Sequence, residues 1–174
     1  GYNKITEFFM ILWTIIIILS VVLDQITKLI AIACLDVGES VKFIPGIINF
    51  THIKNDGAAF GMLDNARWVF LIISAAAIIG LPFLLYKYRK VHFLFGFSLS
   101  LIIGGAIGNM IDRLFAPNGF VTDFIELAFM DFAIFNVADI FVCVGAFLMF
   151  IYLAFLDKTI FPPDDKNKKE AKKE

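Results

Sequence analysis

Neither Asp123 nor Asp139 has a Lys or Arg within four positions on either side, in a chain that is 60% hydrophobic. Asp123 follows the turn "APNG", and Asp139 opens an apolar run. A charge at membrane depth costs on the order of 3 kcal/mol by insertion scales, so such acids persist where they face protein or water and have a task. Two carboxylates in one small site cannot both ionise cheaply, because repulsion and desolvation leave one of them protonated. A pair sharing one proton can take a proton from water with one member and deliver one to a leaving group with the other.

Other polar residues recur at helical spacing beside these acids. Asp24 and Lys28 are i, i+4, Asn109, Asp112 and Arg113 are i, i+3, i+4, and Asn136 and Asp139 are i, i+3. Each set has a plainer reading. Asp24 and Lys28 can be an interfacial ion pair with Lys28 snorkelling to the surface. Asp112 and Arg113 can be a network tying a helix to a loop. Glu126 and Asp131 read as solvated loop acids. His52, alternating within a strand, reads as a surface residue.

The elements that must position these residues are apolar. With 21 Phe and a mean hydropathy of +0.85, the chain is read as a membrane protein. Spans are expected at about 8–35, 66–86, 93–114 and 132–156, each long enough to cross a hydrocarbon core of ~30 Å. Counting helix rise from one end of each span puts Asp24 at ~24 Å, Asp112 at ~28 Å and Asp139 at ~26 Å. Three helices thus deliver carboxylates to one level. Between the first two spans, "VKFI", Pro45-Gly46 and "IINFTHIK" read as a hairpin, and "GFVTDFIEL" reads as a further strand. Gly104, Gly105 and Gly108 permit close helix contact.

Ten of the fifteen Lys and Arg fall on one side of a four-span topology: Lys4, Lys87, Arg89, Lys90 and six lysines from Lys158 to Lys173. The positive-inside rule then puts both termini in the cytoplasm. The expected fold is mainly α: a bundle of four transmembrane helices with a small extracytoplasmic β-sheet, in a single membrane domain at 1–157. The segment 36–65 supplies the β-rich part, and 158–174 reads as a charged, disordered cytoplasmic tail. Cys34 and Cys143 have neither disulfide-framework nor metal spacing. "AIAC" at Ala31–Cys34 is a faint lipobox decoy, interrupted upstream by Asp24 and Lys28.

Five boxes in order resemble prolipoprotein signal peptidase, the bacterial signal peptidase II family. They are "DQITK" from Asp24, "NDGAAF" from Asn55, "GGAIGNMIDR" from Gly104, "GFVTDF" from Gly119 and "FNVADI" from Phe135. The resemblance runs from about Leu23 to Leu156. It implies an aspartic endopeptidase of the bacterial cytoplasmic membrane, with Asp123 and Asp139 catalytic near the extracytoplasmic face. Asp24, Lys28, Asn55, Gly105, Asn109, Arg113 and Asn136 fall on further positions of its site. The implied substrates are prolipoproteins carrying diacylglyceryl on a cysteine, cut just before that residue, with no metal or cofactor. Membrane lipid is the implied environment, and a monomer without a nucleic-acid partner is expected. The alternative from another class, a small proton-coupled transporter, would set its acids nearer the midplane, with broken helices or repeats.

Overall fold

The computed structural model describes residues 2–57, 67–88 and 92–156. Four long helices dominate: α1 (Tyr2–Cys34), α2 (Arg67–Lys87), α3 (Phe93–Phe115) and α4 (Val137–Ile151), the last continuing as a π turn at Tyr152–Leu156. Four stretches of 31, 20, 23 and 20 residues are long and apolar enough to span a membrane. The lysine-rich tail, Arg89, Lys90 and positions 58–60 of the "NDGAAF" box lie outside the described residues.

Small side chains decide how these helices pack. In lipid, apolar side chains gain little by leaving one oily medium for another, so close backbone approach carries the association. Helix α3 is the central one, touching α1, α2 and α4. A Cβ on Gly105 would strike the carbonyl oxygen of Ala138 in α4, and one on Gly108 would lie 2.5 Å from Asp24 Oδ2 in α1. Away from the sheet, Trp13, Leu85, Leu99 and Ile103 form the apolar core. Outward-pointing residues such as Ile11, Leu19, Ile72 and Phe147 are exposed, as a lipid-facing surface requires.

Three antiparallel strands, β1 (Ser40–Ile44), β2 (Ile48–Asn55) and β3 (Val121–Leu127), form one sheet in the order β1-β2-β3. Hairpin and third strand match the sequence expectation. One detail does not. Phe50 pairs with Ile125, but Ile53 pairs with Asp123, so Thr51 and His52 together oppose Phe124. This bulge breaks the two-residue alternation. It turns His52, expected at the surface, into a buried residue whose Nδ1 lies 2.9 Å from the Leu35 carbonyl oxygen.

Glu126 also departs from its solvated reading. Its Oε2 accepts hydrogen bonds from Thr51, Asn49 and Ser40, joining all three strands. These donors, Thr51 first, hold its carboxyl below the usual glutamate range. Asp131 is exposed, as expected.

The fourth apolar run starts at Phe132, but its helix starts at Val137. The intervening backbone is otherwise engaged. Ile125 N–H donates to the Phe135 carbonyl at 2.8 Å, and Phe135 N–H donates back at 3.1 Å. This two-way bridge docks the entrance of α4 onto β3.

Candidate active site

The bridge brings Asn136 against Asp123. Asn136 is the N-cap of α4, and Asp139 is the third residue of its first turn. Asn136 Oδ1 accepts from Asp139 N–H at 3.0 Å, while Asp139 Oδ2 accepts from Asn136 N–H at 3.1 Å. This reciprocal box fixes both side chains. The free amide end of Asn136 then points at β3, and its Nδ2 donates to Asp123 Oδ1 at 2.6 Å. One asparagine therefore touches both acids, through its backbone on one side and its side chain on the other.

Each acid has a second donor from another element. Asn55, the last residue of β2, donates from Nδ2 to Asp123 Oδ2 at 2.7 Å, and its own Oδ1 accepts from Gly57 N–H at 2.7 Å. On α3, Asn109 Nδ2 donates to Asp139 Oδ1 at 2.8 Å. Asp123 is 1% exposed, whereas Asp139 is only half-buried. Burial pushes the Asp123 carboxyl up to about 7; Asp139 adds repulsion, while Asn55, Asn136 and Lys28 oppose the rise.

Behind the pair lies a second polar layer built on α1. Asp24 is fully buried and accepts from Ala138 N–H at 2.9 Å, holding α1 to the start of α4. Lys28 turns inward, against its reading as a snorkelling surface lysine, and is 2% exposed. Its Nζ lies 2.9 Å from Asp24 Oδ2, 3.0 Å from Asp112 Oδ2 and 2.9 Å from Asn109 Oδ1. Three acceptors match the three donors of an ammonium, and complete pairing makes its burial tolerable. Asp112 Oδ2 also accepts from Thr122 N–H at 3.1 Å, so this acid ties α3 to the strand β3 rather than to a loop.

Gln25, not among the sequence-derived candidates, belongs to the same layer. Its Nε2 lies 3.2 Å from Asp24 Oδ2, 3.0 Å from Asp112 Oδ1 and 3.2 Å from the Gly108 carbonyl oxygen. The one signal for it was its place beside Asp24, because its other partners are more than 80 residues away in sequence. Arg113 reaches back along α3 and across to α2. Its Nη1 donates to the Asn109 carbonyl at 3.3 Å, and its guanidinium lies 5.1 Å from the Phe70 ring centroid. Gly105 supplies space, letting α3 meet α4 at Ala138. All nine sequence-derived site residues thus gather in one region at the sheet end of the bundle.

Comparison with known proteins points the same way. Residues 16–155 match the family model described as signal peptidase (SPase) II. The chain is 38% identical to the lipoprotein signal peptidase of Bacillus velezensis over 146 residues, covering 83% of this chain and 94% of that one. It is 42% identical to the lipoprotein signal peptidase of Streptococcus pyogenes, covering 82% of this chain and 92% of that one. A solved structure described as a bacterial membrane enzyme superposes with a TM-score of 0.76 at 34% identity, over 87% of this chain and 92% of that one.

Proposed function

Because the chain belongs to the signal peptidase II family, a family of peptidases that remove signal peptides from prolipoproteins, we propose that it cuts as an aspartic endopeptidase just before a diacylglyceryl-modified cysteine. The observation that carries the aspartic reading is the shared contact with Asn136, which joins carboxylates from β3 and α4. In this reading Asp123 holds the shared proton, since it is the more buried acid. Asp139, less buried and in the first turn of α4, carries the charge and meets the attacking water.

The step balances within the pair. Asp139 takes a proton from water, and the oxygen adds to the scissile carbonyl carbon as Asp123 gives its proton to the carbonyl oxygen. The tetrahedral intermediate collapses when Asp139 passes its proton to the leaving amine nitrogen. The C–N bond breaks, and the carbonyl oxygen returns its proton to Asp123, leaving a new carboxyl group and a free amine. Asn109 and Asn55 keep the acids aligned through the cycle. The sheet end of the bundle faces out of a bacterial cytoplasmic membrane, so the bond is met where the substrate's lipid resides.

The test is incubation of the purified enzyme with one precursor, with and without its diacylglyceryl group, and mass analysis of the products. Cleavage of the lipidated form alone, immediately before the modified cysteine, is expected. Equal rates on both forms, or a cut elsewhere, would refute the reading.

A further inference from the structure

Asn109 is an amide with two unlike ends, and either orientation fits its volume. Its Oδ1 faces two donors, Lys28 Nζ at 2.9 Å and Asn136 Nδ2 at 3.0 Å, while its Nδ2 faces the Asp139 carboxylate at 2.8 Å. Turned over, the amide would point its hydrogens at an ammonium and at another amide's hydrogens. Its oxygen would face a carboxylate. Hydrogen bonds to a charged partner are the stronger ones, so the lysine's grip outweighs that of the neutral amide. Helix α1 touches neither acid directly in any of these contacts, yet through this amide it governs which atom Asp139 meets.

We propose that Lys28 is a positioning residue for the aspartate pair: its ammonium sets the direction of the Asn109 amide, and its charge offsets the repulsion between Asp123 and Asp139. The proposal rests on the aspartic-peptidase reading and adds a role for α1. Among the described residues, the charged groups around Asp123 come from three elements. They are Asp139 on α4, Arg113 and Asp112 on α3, and Lys28 with Asp24 on α1; β2 presents the neutral Asn55. Lys28 is held among acceptors from two helices, with Gln25 bridging the acids that flank it. Its charge is therefore fixed in place rather than swinging with solvent.

The test uses full-length Lys28→Met and Asn109→Asp enzymes with the lipidated precursor. Methionine keeps the length and removes the charge. Aspartate at 109 still accepts from Lys28 and Asn136 but cannot donate to Asp139. For both variants kcat should fall at least tenfold while KM stays within twofold. The alkaline limb of the activity profile should move to higher pH, by about one unit, because Asp123 loses a compensating charge or gains a repelling one. A purely structural lysine would lower the folded fraction without moving that limb. An unmoved limb with wild-type kcat per folded enzyme overturns the proposal, and Asn109→Asp alone decides it if Lys28→Met fails to fold.

A second readout does not depend on turnover. Isotope-edited infrared titration of the aspartates, with Asp123→Asn as the assignment control, should show Asp123 protonated to higher pH in the variants. A wild-type enzyme that leaves the precursor intact, with the shift still present in the variants, would sink the peptidase reading and keep the role of Lys28. Cleavage with no shift would do the opposite.

Discussion

Asp123 and Asp139 each accept two N–H donors, and this shapes what a neutral replacement does. Asp123→Asn and Asp139→Asn should each abolish cleavage, since an amide cannot exchange the proton; turnover above a few per cent in either would contradict the mechanism. Stability is subtler. An Asn at 123 puts hydrogens against Asn55 or Asn136, a mismatch worth about 1–3 kcal/mol. It also removes an acid whose folded pKa, about 7, lies above its ordinary 3.8. Between those values the folded state binds the proton and the unfolded state does not, so wild-type stability falls as pH rises through that window and levels off above it. The variant lacks this slope. Asp123→Asn should therefore melt lower than wild type at pH 5 and close the gap, or reverse it, by pH 8. Thermal unfolding of both proteins in one detergent checks this, and a gap that ignores pH would mean that Asp123 is not held protonated.

At the scale of elements, the joint between α3 and α4 sets the site. Ala138 N–H holds Asp24, and Asn109 and Asn136 straddle the same contact. Gly105→Ala would press a methyl onto the Ala138 carbonyl and to 2.8 Å from Val142 Cγ2. Backbone cannot yield there as a flexible side chain would, so a loss of about 1–3 kcal/mol is expected, with activity falling further because the acids are prised apart. Gly80→Ala in α2 is the control, as its Cβ would meet nothing within 4 Å. It should leave activity intact and the melting temperature equal or higher. Equal effects at both positions would show that helix propensity, not the joint, is being measured. The same joint shows how far the sequence could be read. Helical spacing and apolar length revealed the four helices and grouped Asp24 with Lys28 and Asn136 with Asp139, because those relations are local. The start of α4 was misread because hydropathy cannot see that Phe135 is hydrogen-bonded to Ile125. The burial of His52 was hidden by a bulge, which leaves no mark in a run of alternating residues. The inward turn of Lys28 and the role of Gln25 depend on acceptors from α3, far away in sequence.

For the molecule as a whole, the polar layers lie at one end, where the sheet covers the helix tips, and the other end carries lysines. Lys4 and Glu7 on α1 and Lys87 on α2 mark that second end, and all three are exposed. Among the described residues, Glu39 in the segment after α1 and Asn118 in the turn before β3 mark the sheet end and are exposed as well. The positive-inside rule assigns the lysine-bearing end to the cytoplasm, because cytoplasmic flanks of spans retain Lys and Arg. That assignment also suits the proposed reaction, in which a lipid-modified precursor is cut at the outer face. Single cysteines at Glu39 or Asn118, with Cys34 and Cys143 replaced, should react in intact cells with a membrane-impermeant thiol reagent. Cysteines at Glu7 or Lys87 should react only after the cells are opened. Each variant must retain cleavage activity, so that the labelled protein is the working one. Labelling of Glu7 and Lys87 from outside, with Glu39 and Asn118 protected, would invert the orientation. The aspartates would then face the cytoplasm, on the wrong side for the proposed cleavage at the outer face.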